Sequence, residues 1–137
     1  VADIVCRIHA ASLLPEKMAI GVDAAGIGDI VDELTSPERK IEMDQIIAIS
    51  QGWKLNGAIK TTERKLAGGE MVHCGSPLMN WCAGNARIVQ NGNAVSITKQ
   101  ASGTAKIDPL MATFDANSLM SLNPSPPRTA RFQMFTT

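Results

Sequence analysis

MAIGVDAAGIGDIVDEL, residues Met18 to Leu34, read together with QIIAIS, residues Gln45 to Ser50, decides the fold. Met18 to Val22 is short and free of polar side chains, as expected of a strand buried on both faces, and Asp23 ends it. Gly26 and Gly28 admit a tight loop, after which Ile27, Ile30, Val31 and Leu34 recur at helical spacing. Gln45 to Ser50 reads as a second buried strand. Strand, helix, strand is the rhythm of a parallel sheet with crossover connections, so an α/β fold is expected. In open α/β sheets ligands gather at the carboxyl ends of strands, which makes Asp23 the first candidate site residue.

Outward from this unit, Val1 to Leu14 reads as an amphipathic helix with no capping residue before it, and an upstream part is expected to be missing. Leu14 to Lys17 makes a turn, and Ser36 to Met43 reads as a short charged helix. Downstream, Asn56 to Leu66 is helical with Lys60, Arg64 and Lys65 on its exposed side, and Gly68 and Gly69 stop it. Glu70 to His73 reads as a brief edge strand, and Ser76-Pro77 opens a helix through Cys82. Ala86 to Gln90 and Ala94 to Lys99 alternate around Asn91-Gly92-Asn93, a hairpin signal. A loop of small residues, Gln100 to Thr104, then delivers AKIDPLMATFDANSLMSL, residues Ala105 to Leu122. Asp108 suits an N-cap and Pro109 the first helical position, with Ile107, Met111, Phe114, Ser118 and Leu122 forming the expected buried stripe. Asp115 lies two turns from Asp108, about 10 Å along the axis at 1.5 Å per residue, and reads as structural. Residues 123–137 form a Pro-rich, then polar tail, expected to be mobile.

A chain of 137 residues, 45% hydrophobic, suits one domain with a real core. Thirteen basic and thirteen acidic residues cancel, so no bulk positive field marks a polyanion partner, and any such partner must be held locally. Three cysteines without paired spacing argue against a disulfide framework and fit a reducing cytoplasm. Cys74, Cys82 and His73 lack the four-ligand spacing of structural zinc. No apolar run approaches the ~20 residues needed to cross a bilayer, and no stretch reads as a signal peptide, so none is expected. With no Tyr and few other aromatics, an aromatic stacking platform for single strands is not expected, and Trp53 and Trp81 read as packing residues.

The blocks MAIGVDAAGIGDIVDEL, IIAISQGWKL, AIKTTERKLAGGEMVHCGSPLMNWCAGNARI, a hairpin and KIDPLMATFDANSLM, in this order, resemble the C-terminal nuclease domain of tailed-bacteriophage terminase large subunits, over residues 1–122. The resemblance implies an RNase H-like endonuclease of the DNA-packaging machinery of a phage or prophage. Such a domain hydrolyses double-stranded DNA with two Mg²⁺ or Mn²⁺ ions held by three acids. By motif, Asp23 and Asp108 match the second and third acids and are the expected catalytic metal ligands. The first acid lies on a strand without a counterpart here. The expected fold is therefore a partial RNase H-like domain, strands four and five with flanking helices and an added hairpin, lacking the first three strands. The ATPase fingerprint GxxxxGK[ST] is also absent from the sequence.

Hard divalent ions prefer carboxylate oxygens, and a pair ~4 Å apart activates a water and neutralises the leaving oxygen of a phosphodiester. Arg87, Lys99 and Lys106 are the expected phosphate contacts. Asp29, otherwise a solvated first-turn acid, and His73, otherwise a hydrogen-bonded structural histidine, are candidates for supporting contacts behind the ligands. With one acid missing, this chain is expected to be weakly active or inactive. The resemblance further implies the terminase small subunit and portal as partners of the whole protein, in the bacterial cytoplasm, while an open strand edge implies self-association. Two alternatives remain: a noncatalytic scaffold or prophage remnant, and a nucleotide-binding α/β domain, although GVDAAGIG does not fit GxGxxG.

Overall fold

Ile20–Asp23 (β1) and Ile46–Ile49 (β2) pair in parallel, with Gly21 opposite Ile47 and Asp23 opposite Ile49. They sit in a computed structural model that describes residues 1–25, 27–99 and 104–125. The Met18 and Ala19 amides extend the ladder backwards, donating to the carbonyls of Asp44 (2.9 Å) and Gln45 (2.8 Å). Because side chains alternate across a strand, the sheet has two different faces. Ile20 and Ile46 pack into a cluster built on Ala2, Leu34 and Ile41, whereas Ile47 and Ile49 join Leu55, Ile59, Phe114 and Leu119. Helices thus cover both faces, as the α/β reading requires. The expectation that β1 is buried on both faces is only half met. Ile20, Gly21 and Val22 are half-buried because β1 has a strand on one edge alone among the described residues.

The first face carries Ala2–Ala10 (α1) and Gly28–Leu34 (α2). Arg39 ties them together, since its guanidinium pairs with Asp3 of α1 and with Glu33 of α2 at 2.9 Å. The Asp3 carboxylate beside it is held below the usual carboxylate range by that hydrogen bond and charge. Ser36 to Met43 is not the helix expected. It is a turn in which Lys40 adopts φ +59°, a left-handed conformation that ends any helix, and only Ile41 reaches the core. A 3-10 turn, Met43–Gln45, leads into β2, and buried Gln45 is fully used there: its Oε1 accepts from the Glu42 amide and its Nε2 donates to the Pro15 carbonyl.

The second face is covered by a 3-10 turn at Gly52–Leu55, by Asn56–Ala67 (α3), Pro77–Gly84 (α4) and Asp108–Met120 (α5), and by the hairpin Ala86–Asn91 (β3) and Ala94–Lys99 (β4). Asn91 pairs with Ala94, so the turn proper is Gly92-Asn93, with Gly92 at φ +60°, a glycine-first two-residue loop suited to the twist of antiparallel strands. Glu70 to His73 forms no strand. The Glu70 and Met71 amides are spent on the Lys65 carbonyl at the end of α3, and Val72 stands exposed. α3 and α5 are locked by buried Asn117, whose Nδ2 donates to Thr62 Oγ1 at 2.7 Å and whose Oδ1 accepts from Lys65 Nζ.

α5 starts one residue earlier than expected, with Ile107 before the helix and Asp108 inside its first turn. Its inward face also differs from the expected stripe: Phe114, Asp115, Asn117 and Leu119 are buried, while Leu122 is exposed. The reason is the close crossing of α5 over β1. A Cβ at Gly21 would stand 3.1 Å from both Leu119 Cδ1 and Ile49 Cγ1, so glycine is what lets the helix approach. The loop residues 100–103 and most of the tail lie outside the described residues. No helix among the described residues is long and apolar enough to cross a membrane.

Candidate functional site

Asp23 lies on the face of β1 that α5 covers, because it is two residues from Gly21 and opposite Ile49. It is exposed, and its Oδ1 accepts the Ala25 amide at 3.1 Å, so the acid also forms the turn that ends the strand. Asp108 stands in the first turn of α5, where the helix dipole favours a negative charge. Both line a cleft of about 380 Å³ at the carboxyl end of the two strands, with Gln51, Gly52, Ile97, Ile107, Met111, Ala112 and Asp115. The two acids chosen from the sequence therefore share one cleft.

Asp115 is the residue that sequence reasoning set aside. It is only 9% exposed, and burial pushes its carboxyl above the ordinary value. The Gln51 hydrogen bond, Nε2 to Oδ1 at 3.0 Å, opposes that shift, and the negative charge of Asp23 adds to it. Gln51 Nε2 also reaches the Ile49 carbonyl at 3.3 Å, so the amide is oriented by the end of β2. Asp108 lies about 10 Å away along α5 at 1.5 Å per residue, and the acid whose charge acts on Asp115 is Asp23 on the sheet. The signal available beforehand was spacing: Asp108, Met111 and Asp115 follow one another at three and four residues and share a helix face.

The other candidates are placed as follows. Lys99 is two residues beyond cleft-lining Ile97 on β4 and shares its face of the hairpin, and Lys106 precedes cleft-lining Ile107; both are exposed. Arg87 pairs with Thr98 and so belongs to the opposite hairpin face from Ile97 and Lys99. Asp29 is exposed at the start of α2 and does not line the cleft. His73 does not line it either, and its Nδ1 accepts the Gly75 amide at 3.1 Å.

Among the described residues no lysine or arginine forms an ion pair with Asp23, Asp108 or Asp115. Nor do any three His, Cys, Asp or Glu side chains converge as a ready-made ligand set there. A buried carboxylate beside a second carboxylate, with no ion-paired cation among the described residues, is nevertheless a donor set of the kind Mg²⁺ or Mn²⁺ takes. Mg²⁺ in particular is held by one or two carboxylates and completes its shell with water. Comparisons of the chain with protein-family models, with curated proteins and with solved structures found no match.

Proposed function

We propose that the chain is the latter part of an RNase H-like, metal-dependent endonuclease domain of the phage or prophage terminase large-subunit type, acting on double-stranded DNA in the bacterial cytoplasm. The observation that carries this reading is the common cleft of Asp23, Asp108 and Asp115 at the carboxyl end of a parallel strand pair. Asp23 and Asp115 would hold one divalent ion, and Asp108 would contact it through water or hold a second. Such ions supply a water of lowered pKa and charge neutralisation at a phosphodiester. Gln51 fixes the Asp115 carboxylate, and Lys99 and Lys106 offer phosphate contacts on the same side. Arg87, on the other hairpin face, would reach the same DNA only beyond the cleft. Terminase small subunit and portal are the partners this assignment implies for the whole protein.

Mn²⁺ titration followed by electron paramagnetic resonance tests the assignment directly. The wild-type chain should bind Mn²⁺ weakly, and Asp23→Asn, Asp108→Asn and Asp115→Asn should each weaken binding further. Binding unchanged by all three substitutions would remove the cleft from consideration. Little DNA cleavage is expected of this chain alone, and a version extended upstream to include a further strand acid should cut without sequence preference, because metal and phosphate contacts carry no base information.

A further inference from the structure

Trp53 is not the packing residue expected from the sequence: it is 63% exposed on the turn that borders the carboxylate cleft. The turn itself is not loose. Leu55 is 2% exposed in the core, and Asn56 Oδ1 accepts the Val95 amide of the hairpin at 2.9 Å, so the segment is fastened on both sides. Gly52, the residue before Trp53, lines the cleft. Lys54 Nζ stands 5.9 Å from the Trp53 ring centroid, a cation held at the aromatic face.

The charge pattern around the cleft points the same way. Lys54, Lys99 and Lys106 each fall within two residues of a cleft-lining residue, namely Gly52, Ile97 and Ile107, and all three are exposed. None is in an ion pair among the described residues. Carboxylates at the centre with unpaired cations at the rim suit a ligand that is anionic along its length and bridged at one point by a metal. The exposed indole adds a requirement for a flat apolar face, and nucleic acid is the polyanion that carries one at every residue.

Resting on the nuclease reading of the cleft, we propose that Trp53 and Lys54 form a nucleotide contact at its rim. Trp53 stacks on the face of an unpaired base, and Lys54 meets an adjacent phosphate. A paired, stacked duplex hides its base faces, so the contact selects a single-stranded or frayed segment next to the site where the backbone is held. Stacking of one base on an aromatic side chain is enough to change affinity about tenfold.

The two tryptophans make the contact measurable. In Ca²⁺, the Trp81→Phe chain, with Trp53 as its only indole, is titrated with a thymidine oligonucleotide. The wild-type minus Trp53→Phe difference serves as a second readout that does not depend on Trp81. Expected are saturable quenching of Trp53, an affinity about tenfold lower in Trp53→Ala as read by the anisotropy of a labelled oligonucleotide, and a salt slope smaller by about one in Lys54→Ala. A blunt duplex should quench less than the single strand. Equal quenching by an abasic strand, or binding unaffected by Trp53→Ala, would overturn the stacking contact. Lost quenching with Mn²⁺ binding intact sinks this inference alone, whereas retained quenching without Mn²⁺ binding sinks the nuclease reading and leaves the contact.

Discussion

Burial of Asp115 sets its ionisation against folding. A carboxyl whose value is raised in the folded chain keeps its proton where the unfolded chain has released it. Its contribution to stability is greatest below the ordinary value of 3.8 and is lost as pH rises through the raised folded value. Asp115→Asn keeps an oxygen for Gln51 and removes the charge. The variant and the wild type should therefore be about equally stable at low pH, with the variant the more stable near neutrality, as read by urea unfolding across a pH series. A wild type that gains on the variant as pH rises would show that the buried charge is already compensated. Adding Mn²⁺ should narrow or reverse the neutral-pH difference, because an ion that binds only the folded wild type stabilises it by mass action. Asp23 and Asp108 were legible in the sequence because each sits at a marked local event, a strand end and a helix start. Asp115 was legible only as a residue sharing the helix face of Asp108; its closeness to Asp23 depends on which part of the sheet α5 crosses, and no local pattern encodes that.

Among the elements, the parallel pair, the three longer helices after the first strand and the hairpin follow from periodicity, glycine stops and turn chemistry, all of them short-range signals. The two misread segments, Ser36 to Met43 and Glu70 to His73, have too few core residues to be fixed by pattern: the long-range Arg39 clamp decides the first, and the closure of α3 on the Lys65 carbonyl decides the second. The crossing of α5 over β1 turns on Gly21 and is open to test. Gly21→Ala reduces the freedom of the unfolded chain, worth about 0.4–1 kcal/mol in its favour. Against this, the new methyl meets Ile49 and Leu119 at 3.1 Å, and overpacking of this kind costs about 1–3 kcal/mol. The clash should win, giving net destabilisation in chemical denaturation. In a Leu119→Ala background, where one of the two blocking side chains is gone and only Ile49 remains, the same substitution should cost less, a coupling that a double-mutant cycle would report. Additivity of the two substitutions would mean that α5 does not press on Gly21.

For the molecule as a whole, the feature with the largest consequence is the second edge of β1. The strand pairs with β2 and with no other strand among the described residues, so one row of backbone N–H and C=O groups has no ladder partner there. Ile20, Gly21 and Val22 place no charge on that edge to deter another chain, unlike the lysines and prolines with which edge strands are usually guarded. Beside the sheet, α1 buries Ala2 and leaves Ile4 (62%) and Leu13 just beyond it (69%) exposed, so apolar surface is available for an associating copy as well. A second copy could complete the ladder along this edge, and association at micromolar concentration is the expected outcome. Light scattering should accordingly give about twice the monomer mass, with a twofold axis as the simplest arrangement. Ile4→Lys separates the contributions. If the helix face holds the dimer together, the substitution returns the monomer mass, whereas if the strand edge does, the dimer persists and the β1 amides stay protected from hydrogen exchange. A chain that stays monomeric with rapidly exchanging β1 amides would show that neither surface drives association.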